Sequence, residues 1–329
     1  MKNINPSTIL IFSHDNKIGD AVILTSIVFP IKKAFPEVKI IVMAGKDNGI
    51  IWKNNPLIYK TFTLHSRSII TRLFFSFIIR FLRPDFGIVT SGEHQGKSFS
   101  IIRKLIGIKY LIWVGTEALE FKSLKHDRIF LGQWNSKHYI ERCRKVIEYI
   151  TGSRKRYLPN VYVPKESVAF ADRYWKLKDK TETIRIILNT SGSTLDHQWS
   201  VLKIKEVCFE MLSRMNGATL HIISKDEKQS KVLNDMFFLQ KQINVIEFRS
   251  NILDIAALIK SANLLVSPNT FAIHFGSVFN IPTLGVYVSK KTTVRWGSLS
   301  SKHINLVCKY NINNANCRRL AINAKKLLS

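Results

Sequence analysis

Ser267-Pro268-Asn269-Thr270 follows an apolar run at 263–266 and leads into a helical pattern with His274 in its first turn. The spacing suits an anion. A strand, a tight polar loop and a helix N-terminus leave backbone N–H groups without intrahelical partners, and the helix dipole adds to their pull on negative charge. A lone histidine on a helix is more often packed than functional, so His274 alone assigns nothing. A second loop, Asn189-Thr190-Ser191-Gly192-Ser193-Thr194, follows the apolar run 184–188. Small hydroxyl residues and one glycine let a backbone wrap closely around phosphate. The loop lacks the Gly-Lys-Ser/Thr ending of a P-loop, and in isolation it also reads as a polar turn. The third feature is Asp20, which comes after the strand-like Thr8–Ser13 and directly after Ile18-Gly19. A carboxylate in the first turn of a helix can accept a proton from a hydroxyl or merely complement the dipole, and the residues leave both readings open. Ser13 and Lys17 flank it and can help to place a substrate.

These residues need a scaffold that brings strand ends together. Strands are expected at 9–13, 39–43, 86–90, 109–114, 184–188, 219–223, 244–247, 264–267 and 283–288, from short apolar runs. Helical patterns fill most gaps, including 20–35 (kinked by Pro30), 98–106, 136–151, 201–216 and 253–260. Such alternation makes an α/β protein with parallel sheets and helices on both faces. Between 152 and 164 the periodicity stops in a basic stretch with two prolines, which reads as an interdomain linker. The division expected is 1–155, 156–312 and a terminal helix at 313–329.

The chain has 329 residues, enough for two cores, and a net charge of +27. Charge of this size speaks to association and not to fold. It points to nucleic acid, an anionic membrane or a polyanionic small acceptor. A basic nucleic-acid-binding protein is the rival of a different class, but no helix-turn-helix, zinc pattern or RNA-binding signature accompanies the charge, so no nucleic acid is expected. The first loop lacks G-x-G-x-x-G, which disfavours a dehydrogenase. Four cysteines are scattered without a CxxC pair, which reads as reduced cytosolic thiols. There is no Asp-x-Asp pair and no metal-ligand spacing, so metal-independent chemistry is expected. No apolar run approaches the ~18 residues of a membrane span, and the N-terminus has no signal pattern. The stretch 69–82 is apolar, with Arg67, Arg72, Arg80 and Arg83 around it, as in a helix lying at a membrane surface.

The order of these motifs resembles glycosyltransferase family 9, the ADP-heptose:lipopolysaccharide heptosyltransferases. The resemblance rests on Ile18-Gly19-Asp20, Phe35-Pro36, Gly96-Lys97-Ser98, His138 with Arg142, the Gly/Ser loop ending at Trp199, Ser267-Pro268-Asn269-Thr270 with His274, the strand led by Pro282, and Arg295-Trp296-Gly297. It implies a GT-B architecture, two Rossmann-like doubly wound domains facing a cleft, the first binding acceptor and the second nucleotide sugar. It implies an inverting transfer with Asp20 as general base. Thr190, Ser191, Gly192, Ser193, His197, Asn269, Thr270 and His274 would then hold the donor diphosphate, and Glu227 the ribose. Ser13, Lys17, Lys97, His138 and Arg142 would meet the acceptor; His138 and Arg142, one turn apart, would share a helix face. The implied co-substrate is ADP-heptose, with no other cofactor, and the acceptor is the anionic lipopolysaccharide inner core. A monomer at the inner face of a bacterial cytoplasmic membrane follows. A transferase of this fold with another sugar or acceptor is the alternative. Three positions depart from the family pattern: His197 stands for a lysine, Asn269 for an aspartate and Phe271 for a glycine.

Overall fold

Short, largely apolar runs such as TILIFS, ATLHII and TLGVY are buried along their whole length, as expected of parallel strands covered on both faces. The computed structural model describes residues 5–13, 15–65, 69–90, 97–108, 110–114, 128–130, 137–178, 183–192, 194–247 and 251–329. The chain divides into two compact units, Met1–Tyr162 and Val163–Ser329. The boundary lies at 162/163, beyond the expected 155/156, because the segment from Gly152 onward packs with the first unit; Asn160 N–H donates to Thr25 Oγ1 at 3.0 Å.

In the first unit β1 (Thr8–Ser13), α1 (Ile18–Leu24), α2 (Val28–Ala34), β2 (Lys39–Gly45), α3 (Gly49–Lys53), β3 (Lys60–Leu64) and α4 (Ile69–Arg80) are followed by β4 (Phe86–Val89), α5 (Lys97–Ile106), β5 (Tyr110–Trp113), β6 (Arg128–Phe130) and α6 (Ile140–Thr151). The expected kink at Pro30 is a 3-10 turn, Thr25–Ile27, one turn ahead of the proline, where its ring would crowd the preceding carbonyls. The second unit holds α7 (Lys165–Lys178), β7 (Ile184–Asn189), α8 (Val201–Leu212), β8 (Ala218–Ile223), α9 (Glu227–Met236), β9 (Ile243–Ile246), α10 (Ile252–Lys260) and β10 (Leu264–Pro268). It continues with α11 (Phe271–Val278), β11 (Thr283–Tyr287), α12 (Lys290–Trp296), β12 (His303–Val307) and α13 (Cys317–Leu328).

Among the described residues both sheets have six strands, parallel throughout, in the orders β3-β2-β1-β4-β5-β6 and β12-β11-β10-β7-β8-β9. Counted from each unit's own first strand, both give 3-2-1-4-5-6, the doubly wound Rossmann order. The strand order reverses between β1 and β4 in one unit and between β7 and β10 in the other. Ligands of such sheets bind outside the carboxyl ends of the strands at that reversal. The strands β3, β6 and β12 add to those expected, and all three end their sheets.

Side-chain alternation along the strands sets the cores. In the first unit Leu10, Phe12, Ile41 and Met43 meet Ile79 of α4 and Ile102 and Ile106 of α5. In the second, Leu188, Leu220, Val266 and Val286 meet Val207 and Met211 of α8 and Leu320, Ala324 and Leu327 of α13. The terminal helix is thus part of the second unit's core. It starts at Cys317, not 313, because Asn316 caps it by accepting from Arg319 N–H at 2.9 Å.

Candidate active site

In the first unit the loop after β1 carries Asp20 in the opening turn of α1. It is held by Asn48, which is fully buried. The Asn48 amide donates to Ser13 O at 2.8 Å and to Lys17 O at 3.4 Å, and its Oδ1 accepts from Gly45 N–H at 2.9 Å. Ser13 is itself buried, and its hydroxyl accepts from Trp52 Nε1 at 3.1 Å. Ser13 therefore positions the loop and does not face a substrate. The Lys17 backbone precedes α1, with its N–H on Asp15 Oδ1 at 3.2 Å, and its side chain is exposed.

The start of α6 meets the same strand ends. Arg142 is buried and its Nη1 donates to Thr90 O, just past β4, at 3.0 Å. The hydroxyls of Tyr139 and Thr90 lie 2.9 Å apart, and the Arg142 guanidinium stands 5.1 Å from the Tyr139 ring centre. Burial, and next the negative charge of Asp20, push the Tyr139 phenol well above its usual range. Burial also pushes the Cys143 thiol up to about 12, with Arg142 opposing and Asp20 adding to the shift. Asp20, Tyr139 and Arg142 thus form one neighbourhood at the reversal of the first sheet. Tyr139 and Thr90 escaped the sequence reading, since one buried hydroxyl has no sequence pattern.

His138 corrects an expectation. It precedes α6, with its Nδ1 accepting from Ile140 N–H at 3.1 Å, so it caps the helix start and shares no helical face with Arg142. Lys97 opens α5. Gly96 and Ser193 lie outside the described residues.

The second unit gathers three loops at its own reversal. Asn189, the last residue of β7, is fully buried. Its Nδ2 donates to Ser267 Oγ at 3.0 Å and to Thr270 Oγ1 at 2.8 Å, and its Oδ1 accepts from the Ser191 hydroxyl at 2.9 Å. One buried amide therefore joins the loop after β7 to the corner after β10. Thr270 caps α11, its Oγ1 accepting from Ala272 N–H at 3.3 Å. His274, on the same helix, is buried beside Trp296 of α12, with ring centres 6.1 Å apart. Asn269, Thr270, Ser191 and Gly192 are partly exposed. Phe271, also partly exposed, packs edge-on against Phe275 at 5.9 Å.

Gly192 has a steric reason to be glycine. A Cβ there would stand 2.0 Å from His197 O, so the loop folds back on itself at that point. The return is fixed by Gln198 Nε2, which donates to Gly192 O at 3.0 Å. His197 Nδ1 lies 2.7 Å from Thr194 Oγ1 and 3.3 Å from Asp196 Oδ1. The Asp196 carboxylate is thus within ion-pair distance of the His197 ring. The Thr194 hydroxyl bond, above all, holds the Asp196 carboxyl below its usual range.

Thr190 is a second correction. It is fully buried, its hydroxyl lies 2.9 Å from Ile223 O, and its N–H donates to the same carbonyl at 3.0 Å. It fastens the loop to β8, with its hydroxyl turned into the fold. Glu227 is exposed at the first turn of α9, where Asp226 caps by accepting from Gln229 N–H at 2.8 Å. Lys225 Nζ reaches Gln198 Oε1 at 3.5 Å, so the loops after β7 and β8 are also neighbours.

The second unit thus offers hydroxyls, backbone N–H groups and a capped helix start, grouped around one buried amide, a set suited to phosphate oxygens. Thr270→Val with His274→Ala is expected to weaken binding of a nucleoside diphosphate by about tenfold, the loss of one or two polar contacts at about 0.5–1.5 kcal/mol each. Calorimetry reads it; unchanged affinity would make the corner purely structural. The lost cap is expected to cost about 1 kcal/mol of stability in the same variant, which a melting curve separates from binding.

No family model and no curated protein matches this chain. Solved structures do. The glycosyl transferase family 9 protein from Veillonella parvula DSM 2008 is 15% identical, with a TM-score of 0.83 over 100% of this chain and 98% of that one. E. coli ADP-heptose lps heptosyltransferase II is 15% identical at a TM-score of 0.77, covering 98% of both chains. E. coli heptosyltransferase WaaC with ADP is 13% identical at 0.76, covering 97% of this chain and 99% of that one. At such identities the likeness is one of fold, and it extends over the whole chain.

Proposed function

We propose that the protein is an inverting glycosyltransferase of family 9, which transfers heptose from ADP-heptose to the inner core of lipopolysaccharide. The observation that carries the reading is the buried Asn189, which ties a glycine-bearing hydroxyl loop to a helix-start corner at the reversal of the second sheet. Whole-chain likeness in fold to two ADP-related heptosyltransferases supports the choice of donor. The charge of +27 supports an anionic acceptor.

In this reading an acceptor hydroxyl attacks the anomeric carbon in line with the departing diphosphate. Asp20 takes the hydroxyl proton as the new bond forms. Arg142 and Tyr139 hold the surroundings of Asp20 in place, and the exposed Lys17 adds positive charge near the anionic acceptor. The nucleoside diphosphate leaves with its charge developing against Ser191, Gly192 and the Asn269–Thr270 corner, where fixed donors stabilise it most in the transition state. Glu227 receives the ribose hydroxyls. Among the described residues no three His, Cys, Asp or Glu side chains are grouped to hold a metal ion.

A panel of nucleotide sugars, each offered with a lipopolysaccharide-core acceptor, tests the reading. ADP-heptose is expected to give turnover, unchanged when EDTA is added. Turnover only with another sugar nucleotide would overturn the donor assignment. Loss of activity in EDTA with recovery on magnesium would overturn the metal-free mechanism.

A further inference from the structure

Helix α4 is apolar on two faces, and among the described residues one of them packs on the core. Phe75, Ile78, Ile79 and Leu82 pack on the first unit's core. Ile70, Phe74, Phe77 and Phe81 form a second stripe, at positions i, i+4, i+7 and i+11. They are 74%, 61%, 53% and 70% exposed. Phe77 and Phe81 stack edge-on at 5.1 Å. On α5, which packs beside α4, Ile101 is 54% exposed. Arg80 Nη1 donates to Leu105 O at 3.0 Å and fastens the two helices at their ends.

The two segments that carry this patch have charges of one sign. Residues 66–83 contain four arginines and no aspartate or glutamate, and α5 adds Lys97, Arg103 and Lys104, again without an acid. Arg80, Arg83 and Lys104 are exposed; Arg67 lies outside the described residues. Exposed large apolar residues bordered by cations are what an anionic lipid surface attracts, with rings entering the acyl boundary and cations at the phosphates. A second copy of the chain fits poorly, because two such faces would bring arginines together with no carboxylate between them. An acidic protein would meet the cations but leave four large apolar side chains to be matched. At 12 residues α4 is too short to cross a bilayer, and no helix among the described residues is long and apolar enough to do so.

We infer that the exposed stripe of Ile70, Phe74 and Phe77 on α4 and Phe81 just past its end, with Ile101 of α5 and the exposed cations Arg80, Arg83 and Lys104, docks the protein on an anionic membrane surface. The inference stands apart from sugar transfer, since docking is read with no donor or acceptor present.

The test is sedimentation of the full chain with vesicles of phosphatidylcholine alone or mixed with phosphatidylglycerol. Wild type is expected to bind the mixed vesicles, to bind the neutral ones more weakly, and to be released by salt. Phe74→Ser with Phe77→Ser and Phe81→Ser is expected to lower binding to mixed vesicles by about tenfold or more, with an unchanged melting temperature because these side chains lie outside the core. Arg83→Gln with Lys104→Gln, which leaves the stripe intact, is expected to remove the preference for anionic vesicles. Equal binding by wild type and the serine variant would overturn the inference. So would wild-type self-association that the serine variant abolishes, with no vesicle binding by either.

Discussion

Asp20→Asn is expected to lower turnover by about 10²–10⁴-fold, the range over which a positioned base accelerates proton transfer. The amide keeps the size and shape of the side chain but has no basic oxygen to offer the acceptor hydroxyl. Asn48, Ser13 and Lys17 hold the loop through contacts that do not include the Asp20 side chain, so the fold is expected to survive. Nucleotide affinity is expected to stay at the wild-type value, because Ser191, Gly192 and Thr270 belong to the other unit. Single-turnover kinetics at saturating donor measure the effect. A variant that keeps a tenth or more of wild-type turnover would falsify the assignment of Asp20 as base. The Tyr139 phenol supplies an independent readout: removing the negative charge of Asp20 takes away one cause of its raised pKa, so it is expected to ionise at lower pH in the variant than in wild type.

Gly192→Ala is the second large effect. Its Cβ would fall 2.0 Å from His197 O and 2.4 Å from the carbonyl carbon. Both are backbone atoms, which no side-chain rotation can clear. The loop from Asn189 to Trp199 has to shift, and a displacement on the order of 1 Å in a binding site of this kind costs about 10²-fold in rate. Nucleoside diphosphate affinity is expected to fall with kcat/KM. Gln198→Leu provides a milder companion, losing only the bond to Gly192 O. Normal nucleotide binding by a folded Gly192→Ala protein would remove this loop from the donor site.

The central strands are plain in the sequence because parallel strands covered on both faces must be continuously apolar; TILIFS and TLGVY need no further context. The edges are less plain. In HINLV of β12 the burial is broken, with exposed residues at both ends, so its pattern resembles a loop. The helix carrying Arg142 shows another limit. Residues 136–151 read as one helical pattern, yet α6 begins at Ile140 and His138 turns back to cap it. Such caps depend on geometry that spacing does not encode. The glycine and hydroxyl loops were visible as candidates, but which hydroxyl faces outward was not. Thr190 and Ser191 are adjacent and chemically alike; a carbonyl of β8 claims the first, and only the neighbouring strand decides it. Asn48 and Asn189 were equally hidden, since an asparagine in a polar loop gives no sign that it will be fully buried. On α4 the apolar composition was evident, whereas the division between Phe75, turned inward, and Phe74 and Phe77, turned outward, needed the core to be in place.

The winding order also bears on how the chain is made. The strand β1 is central, pairing with β2 on one side and with β4, residues Phe86–Val89, on the other. It leaves the ribosome well before β4 and cannot be enclosed until β4 and the helix that crosses to it have followed. In the meantime TILIFS and KIIVMAG are unprotected β-formers. The second unit repeats the problem, since β7 waits for β10. Long-range parallel pairing of this kind folds slowly and exposes sticky intermediates. Each sheet is therefore expected to pass through such an exposed stage in turn during synthesis, and slower translation across β4 and β10 would lengthen both.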